Sequence, residues 1–153
     1  KMFLSRGLVL HSTRVRPLLN INYRTFRCTG QLKFRKYLIK SCRENNFVRA
    51  IQEYEQLQDE NTPCTILEYN LLLQCASRNN RVDKVLEIFA SLKKNGNPNT
   101  KSVAIVMNAL FKNSYFDEAI KLFNLIPSFN TEPDLVCSTL LIQSLFSLDK
   151  ITE

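Results

Sequence analysis

The sequence has no tryptophan, only three glycines, five prolines and a single histidine in 153 residues. So few turn-forming residues argue against a β-rich architecture and for helices joined by short connections. The one histidine, His11, lies in a basic N-terminal stretch. The rest of the chain therefore cannot build a Ser-His-Asp or Cys-His constellation. No glycine-rich phosphate loop and no cluster with zinc-ligand spacing is present. The five cysteines, Cys28, Cys42, Cys64, Cys75 and Cys137, are odd in number and form no CxxC pair, which disfavours a disulfide framework and a cysteine-only zinc site. The longest apolar runs, such as Val103–Val106 and Leu71–Leu73, are far too short to span a bilayer. Asp83, Glu87, Asp117 and Glu118 fall on solvent-facing helical positions rather than in an acid/base pair. The expectation is a chain without catalysis, cofactor, metal site or membrane span.

Acidic residues are missing from one end. Residues 1–49 hold twelve lysines and arginines against the single acid Glu44, a net of +11, and the remainder carries a net of −4. Charge this lopsided points to an anionic partner, an address signal, or both. Residues 1–30 contain arginines and hydroxyl residues but no acid, and Leu4, Leu8, Val9, Leu18, Leu19 and Ile21 supply apolar side chains around Pro17. That is the composition of a mitochondrial transit peptide. Leu8–Leu10 is too short for the apolar core of a secretory signal. An RNA-binding arm and a neutral basic tail are the other readings of residues 1–30.

From residue 31 onward the chain repeats itself. Units drawn at 32–66, 67–100, 101–135 and 136–153 start at Leu32, Leu67, Lys101 and Val136. The first half of each unit carries an i, i+3, i+4, i+7 stripe: Phe34, Tyr37, Leu38, Ser41; Tyr69, Leu72, Leu73, Ala76; Val103, Val106, Met107, Leu110; Ser138, Leu141, Ile142, Leu145. A second helical stripe follows: Phe47, Ala50, Ile51, Tyr54, Leu57; Val82, Val85, Leu86, Phe89, Leu92; Phe116, Ala119, Ile120, Phe123, Ile126. Between the stripes stand polar joints, Glu44-Asn45-Asn46, Asn79-Asn80-Arg81 and Asn113-Ser114-Tyr115, where asparagine suits a helix end that needs a left-handed residue. Pro63, Pro98 and Pro133 close the units. One hairpin cannot bury both stripes, so hairpins must stack. The predicted fold is all-α, a solenoid of about three and a half helical hairpins.

The unit that opens with Leu67-Glu68-Tyr69-Asn70-Leu71-Leu72-Leu73 continues through Arg81-Val82-Asp83-Lys84-Val85-Leu86-Glu87-Ile88-Phe89 and closes with Asn95-Gly96-Asn97-Pro98-Asn99. It closely resembles a pentatricopeptide repeat, and the unit from Lys101 follows the same pattern with Phe116-Asp117-Glu118-Ala119-Ile120-Lys121-Leu122-Phe123 and Glu132-Pro133-Asp134. The Trp and Leu-Gly-x-x-Tyr of a tetratricopeptide repeat are absent. The resemblance implies single-stranded RNA binding in the mitochondrial matrix, roughly one base per repeat.

It also implies where bases would be read. The fourth residue of each unit gives Arg35, Asn70, Ala104 and Thr139, and the next-to-last gives Thr65, Asn99 and Asp134. Asn70 with Asn99 is the familiar pairing, one that implies a pyrimidine, while Arg35/Thr65 and Ala104/Asp134 depart from the usual combinations. The residues expected to flank a base are Leu32, Leu67, Lys101 and Val136. Lys33, Arg35, Lys36, Lys40 and Arg43 are candidates for RNA backbone binding. Two other roles fit the same sequence: a structural subunit of a mitochondrial ribonucleoprotein such as the mitoribosome, and a tetratricopeptide-like protein adaptor. At the C-terminal end, Leu141, Ile142 and Leu145 are expected to pack inward, leaving Leu140, Phe146 and Leu148 uncovered for a protein partner or a continuation of the chain.

Overall fold

Asparagines at the joints set the architecture. In the computed structural model, which describes residues 22–152, the second joint residue is left-handed in all three hairpins: φ is 56° at Asn45, 54° at Asn80 and 64° at Ser114. The residue after each donates its backbone N–H five residues back: Asn46 to Ser41 (2.9 Å), Arg81 to Ala76 (3.0 Å) and Tyr115 to Leu110 (2.9 Å). This closure satisfies the last carbonyls of one helix and turns the chain directly into the next. Among the described residues the result is α1 (Asn22–Arg43), α2 (Phe47–Asp59), α3 (Ile66–Arg78), α4 (Val82–Asn95), α5 (Thr100–Lys112), α6 (Phe116–Asn124), a 3-10 turn at Ile126–Phe129, and α7 (Leu135–Thr152). The side chains of residues 22–31 and 150–152 fall outside the description, as do residues 1–21 entirely. The transit-peptide expectation for residues 1–30 therefore rests almost wholly outside the described residues.

Helix starts are capped by the residues that follow the unit-closing prolines. Thr65 and Glu68 form a reciprocal capping box on α3, Asn99 accepts from the Ser102 N–H of α5, and Asp134 Oδ1 accepts from the Cys137 N–H of α7 at 2.8 Å. The first helices α1, α3, α5 and α7 pack on one another in sequence. The second helices α2, α4 and α6 each pack on their own first helix and on the first helix of the next unit. The first helices thus form the inner layer of a helical-hairpin solenoid, and the second helices the outer one.

The core runs along the seam between the layers. Leu38, Leu57, Leu72, Leu73, Ile88, Val103, Val106, Met107 and Ile126 are all 1% exposed or less. Three expectations need correction. Leu86 is 44% exposed and Ile88 takes the inward place, because Val85, Ile88, Phe89 and Leu92 form an i, i+3, i+4, i+7 stripe whose phase leaves Leu86 to one side. Phe89 is buried, but Phe123 is only half-buried: Phe129 of the next unit stands edge-on over Phe89 at 6.1 Å, and no equivalent ring covers Phe123 among the described residues. In α7 the inward residues are Cys137, Leu140 and Ser144, Leu141 and Leu148 are half-buried, and Ile142 and Leu145 are exposed together with Phe146, which is expected outside. A helix apolar on nearly every side has no polar face to fix the phase of its stripe. In the third unit the second helix also stops early, at Asn124, since Pro127 has no N–H to continue the ladder.

Burial pushes the Cys42 thiol up to about 12 and those of Cys64 and Cys137 to about 11, and raises Cys75 as well. Folding thus favours the neutral thiol in all four, and that contribution is lost only as the pH rises through these values. In the folded chain at pH 8 these four thiols should react with a maleimide far more slowly than in denaturant. Cysteine-resolved mass spectrometry after a short pulse measures this. Equal labelling with and without denaturant would mean that the hairpins are not closed.

Candidate nucleic-acid interface

On the inner layer each unit exposes its first residue. Leu32, Leu67 and Val136 are 57%, 58% and 53% exposed, and Lys101 is exposed as well. Three of the four are apolar, and their regular spacing would let flat groups lie against them. One turn further along each first helix lie the candidate readers Arg35, Asn70, Ala104 and Thr139. The candidates Thr65, Asn99 and Asp134 sit at the N-caps of the following first helices. At the first two junctions side-chain bonds link the fourth residue of a unit to the cap that opens the next first helix, through Glu68 and Ser102.

The junctions differ in chemistry. At the first, the half-buried Arg35 guanidinium bonds both oxygens of Glu68 (3.0 and 3.1 Å) and the Pro63 carbonyl (2.6 Å). Glu68 is buried and also accepts from the Thr65 N–H (2.6 Å) and hydroxyl (2.9 Å). Arg35 and Thr65 are therefore joined through a carboxylate, and the guanidinium is committed to the seam between units. At the second junction Ser102 Oγ lies 2.6 Å from Asn70 Oδ1 and 2.8 Å from Asn99 Oδ1. One hydroxyl proton cannot serve two acceptor oxygens. Asn99 is fixed by its cap bond from the Ser102 N–H at 2.9 Å. All three groups are satisfied when Ser102 donates to Asn99 and Asn70 turns its amide nitrogen to Ser102. Asn70 itself is only 6% exposed, so little of its remaining amide atom is open to the groove. At the third junction Ala104 offers no polar atom, Asp134 is held in its cap, and the Thr139 hydroxyl donates to the Leu135 carbonyl at 2.7 Å.

Periodicity alone did not find Glu68 and Ser102, the second residues of their units, which tie one unit to the next. The Thr65-x-x-Glu68 spacing of a capping box was the available signal for Glu68. Ser102 carried no comparable mark. Of the backbone candidates, Lys33, Lys36, Lys40 and Arg43 are exposed, and Arg35 is not free.

The repeated joint, the two helical layers and the chemistry at each junction define a solenoid of helical hairpins. Residues 69–97 and 102–130 match the family model described as the pentatricopeptide repeat, which covers the α3–α4 and α5–α6 hairpins. The chain is also 29% identical over 104 residues to a pentatricopeptide repeat-containing protein of Arabidopsis thaliana that is named as mitochondrial. That similarity covers 67% of this chain but only 10% of the plant protein, so the chain spans about a tenth of that relative's length.

Proposed function

We propose that this chain is a pentatricopeptide-repeat protein that binds single-stranded RNA in mitochondria, along its inner layer, and that it acts by binding rather than by catalysis. The observation that carries the reading is the second junction. There the two amides of one unit, Asn70 and Asn99, meet through the Ser102 hydroxyl of the next, between the exposed Leu67 and Lys101. An amide that can present either a donor or an acceptor, beside side chains on which a base can lie flat, is suited to reading one base edge. The two repeat matches and the mitochondrial name of the plant relative support the same reading.

Replacing Asn70 and Asn99 with Ala should change the base preference at one position, by about 1 kcal/mol. Selection from a randomised single-stranded RNA pool with the native and substituted chains measures this. An unchanged preference at every position would remove Asn70 and Asn99 as readers. Failure of the native chain to retain any single-stranded RNA would remove the function itself.

One observation favours a second reading, a fixed subunit of a mitochondrial ribonucleoprotein. Ile142, Leu145 and Phe146 form an exposed apolar face on α7, of the kind that a protein neighbour covers. Co-sedimentation with mitochondrial ribosomal subunits, resistant to nuclease treatment that releases free RNA-binding factors, distinguishes the two.

A further inference from the structure

Three lysines of α1 stand where every later first helix buries its side chains. Counted from the first residue of each unit, the second, fifth and ninth positions are Glu68, Leu71 and Cys75 in α3, Ser102, Ile105 and Ala109 in α5, and Cys137, Leu140 and Ser144 in α7. All nine are buried or half-buried. This is the side of a first helix that meets the first helix before it, as the Arg35–Glu68 and Asn70–Ser102 contacts show. In α1 the same positions are Lys33, Lys36 and Lys40, and all three are exposed. Among the described residues the row therefore lies on the end face of the stack, turned away from α3, and not along the inner layer.

Little neutralises it. Lys40 stands 3.8 Å from Glu44 in a pair whose side chains are 67% and 57% exposed, and such a pair is weak in water. Lys33 lies 5.9 Å from the Tyr37 ring, which Arg49 flanks at 5.4 Å. At about 1.5 Å of rise per residue, the three lysines occupy roughly 10 Å of one straight helix. That length faces several consecutive phosphates of a nucleic-acid backbone.

We propose that this end face docks the phosphate backbone of duplex RNA, as a second RNA surface separate from the inner layer. It rests on the reading that RNA is the partner, but not on the inner layer being where single strands bind. A single strand needs side chains on which its bases can lie, as on the inner layer, and the ring that the described residues place beside these lysines, Tyr37, is already flanked by Lys33 and Arg49. A straight row of ammonium groups without a stacking platform instead suits a regular backbone, where contacts position without reading sequence.

The test uses the full chain with a blunt RNA duplex of about 20 base pairs and an unstructured single strand of about 20 nucleotides, both fluorescently labelled. K33Q/K36Q/K40Q is compared with K93Q/K94Q/K121Q, which removes the same charge from exposed second-helix positions. With the end-face variant, duplex affinity should fall about tenfold or more near 0.1 M salt, with a salt slope shallower by about 2–3. Single-strand affinity should fall less than about threefold, and the control should lose less than about threefold on the duplex. Equal thermal melting of the variants shows that the fold is intact. The proposal is overturned if the native chain does not bind the duplex, if the end-face variant binds it as well as the native chain, or if the control loses as much. Duplex binding that follows this pattern in a chain unable to bind single strands would instead overturn the inner-layer reading and leave the end face standing.

Discussion

Phe89→Ala should lower the unfolding free energy by about 3–5 kcal/mol, while Phe123→Ala should cost clearly less. The two phenylalanines hold equivalent places in consecutive units. Phe89 is 4% exposed and carries the edge-on ring of Phe129 at 6.1 Å, whereas Phe123 is only half-buried. Truncating Phe89 therefore removes apolar area and also leaves a cavity beneath Phe129. A cavity of that size is not refilled without moving the 3-10 turn, and close-packed interiors resist such movement. Urea denaturation followed by far-UV circular dichroism measures both variants against the native chain. Equal losses would mean that the third unit is covered as fully as the second.

The second large effect lies in the Arg35–Glu68 junction. Arg35→Ala should destabilise by about 2–4 kcal/mol, because it leaves the Glu68 carboxylate buried without its countercharge. Glu68→Ala should cost a similar amount, since it strips the partner from Arg35 and one half of the capping box from α3. Arg35→Met combined with Glu68→Leu should cost less than either single change, because no buried charge is then left unpaired. A double-mutant cycle built from Arg35→Met, Glu68→Leu and their combination measures the coupling in urea. Strict additivity of the two changes would show that the ion pair holds nothing together.

Much of this fold was legible in the sequence. The stripes of α3 and α5 lie between polar joints, so their phase was unambiguous, and Leu72, Leu73, Val106 and Met107 are buried accordingly. The joints were legible because few residue types tolerate a left-handed backbone, and asparagine is one of them. The inward face of α7 was not, since Leu140, Leu141, Ile142 and Leu145 are all apolar and no polar side marks which faces out. Contacts across the seams were hidden for a different reason. Glu68 and Arg35 are 33 residues apart, and Ser102 and Asn70 are 32 apart. Nothing within one helix announces a partner in the next unit. The lysines of α1 read as a basic stretch in sequence, and only the stacking order reveals that they share an end face.

Among the described residues each unit of this solenoid packs on its neighbours: α1 on α2 and α3, α3 on α5, and α7 on α5 and α6. Such a chain behaves like a stack of coins rather than a ball. Opening a terminal hairpin breaks one seam, while opening the α3–α4 hairpin breaks two. Amide hydrogens should therefore exchange most slowly in α3 and α5 and progressively faster outward, and under tension the ends should peel before the middle. Contacts that reach no farther than the next hairpin also ask little loop closure of the unfolded chain, so refolding should be fast and free to begin at any unit. A change at one junction would then be felt by the adjoining hairpins and would fade within a unit or two.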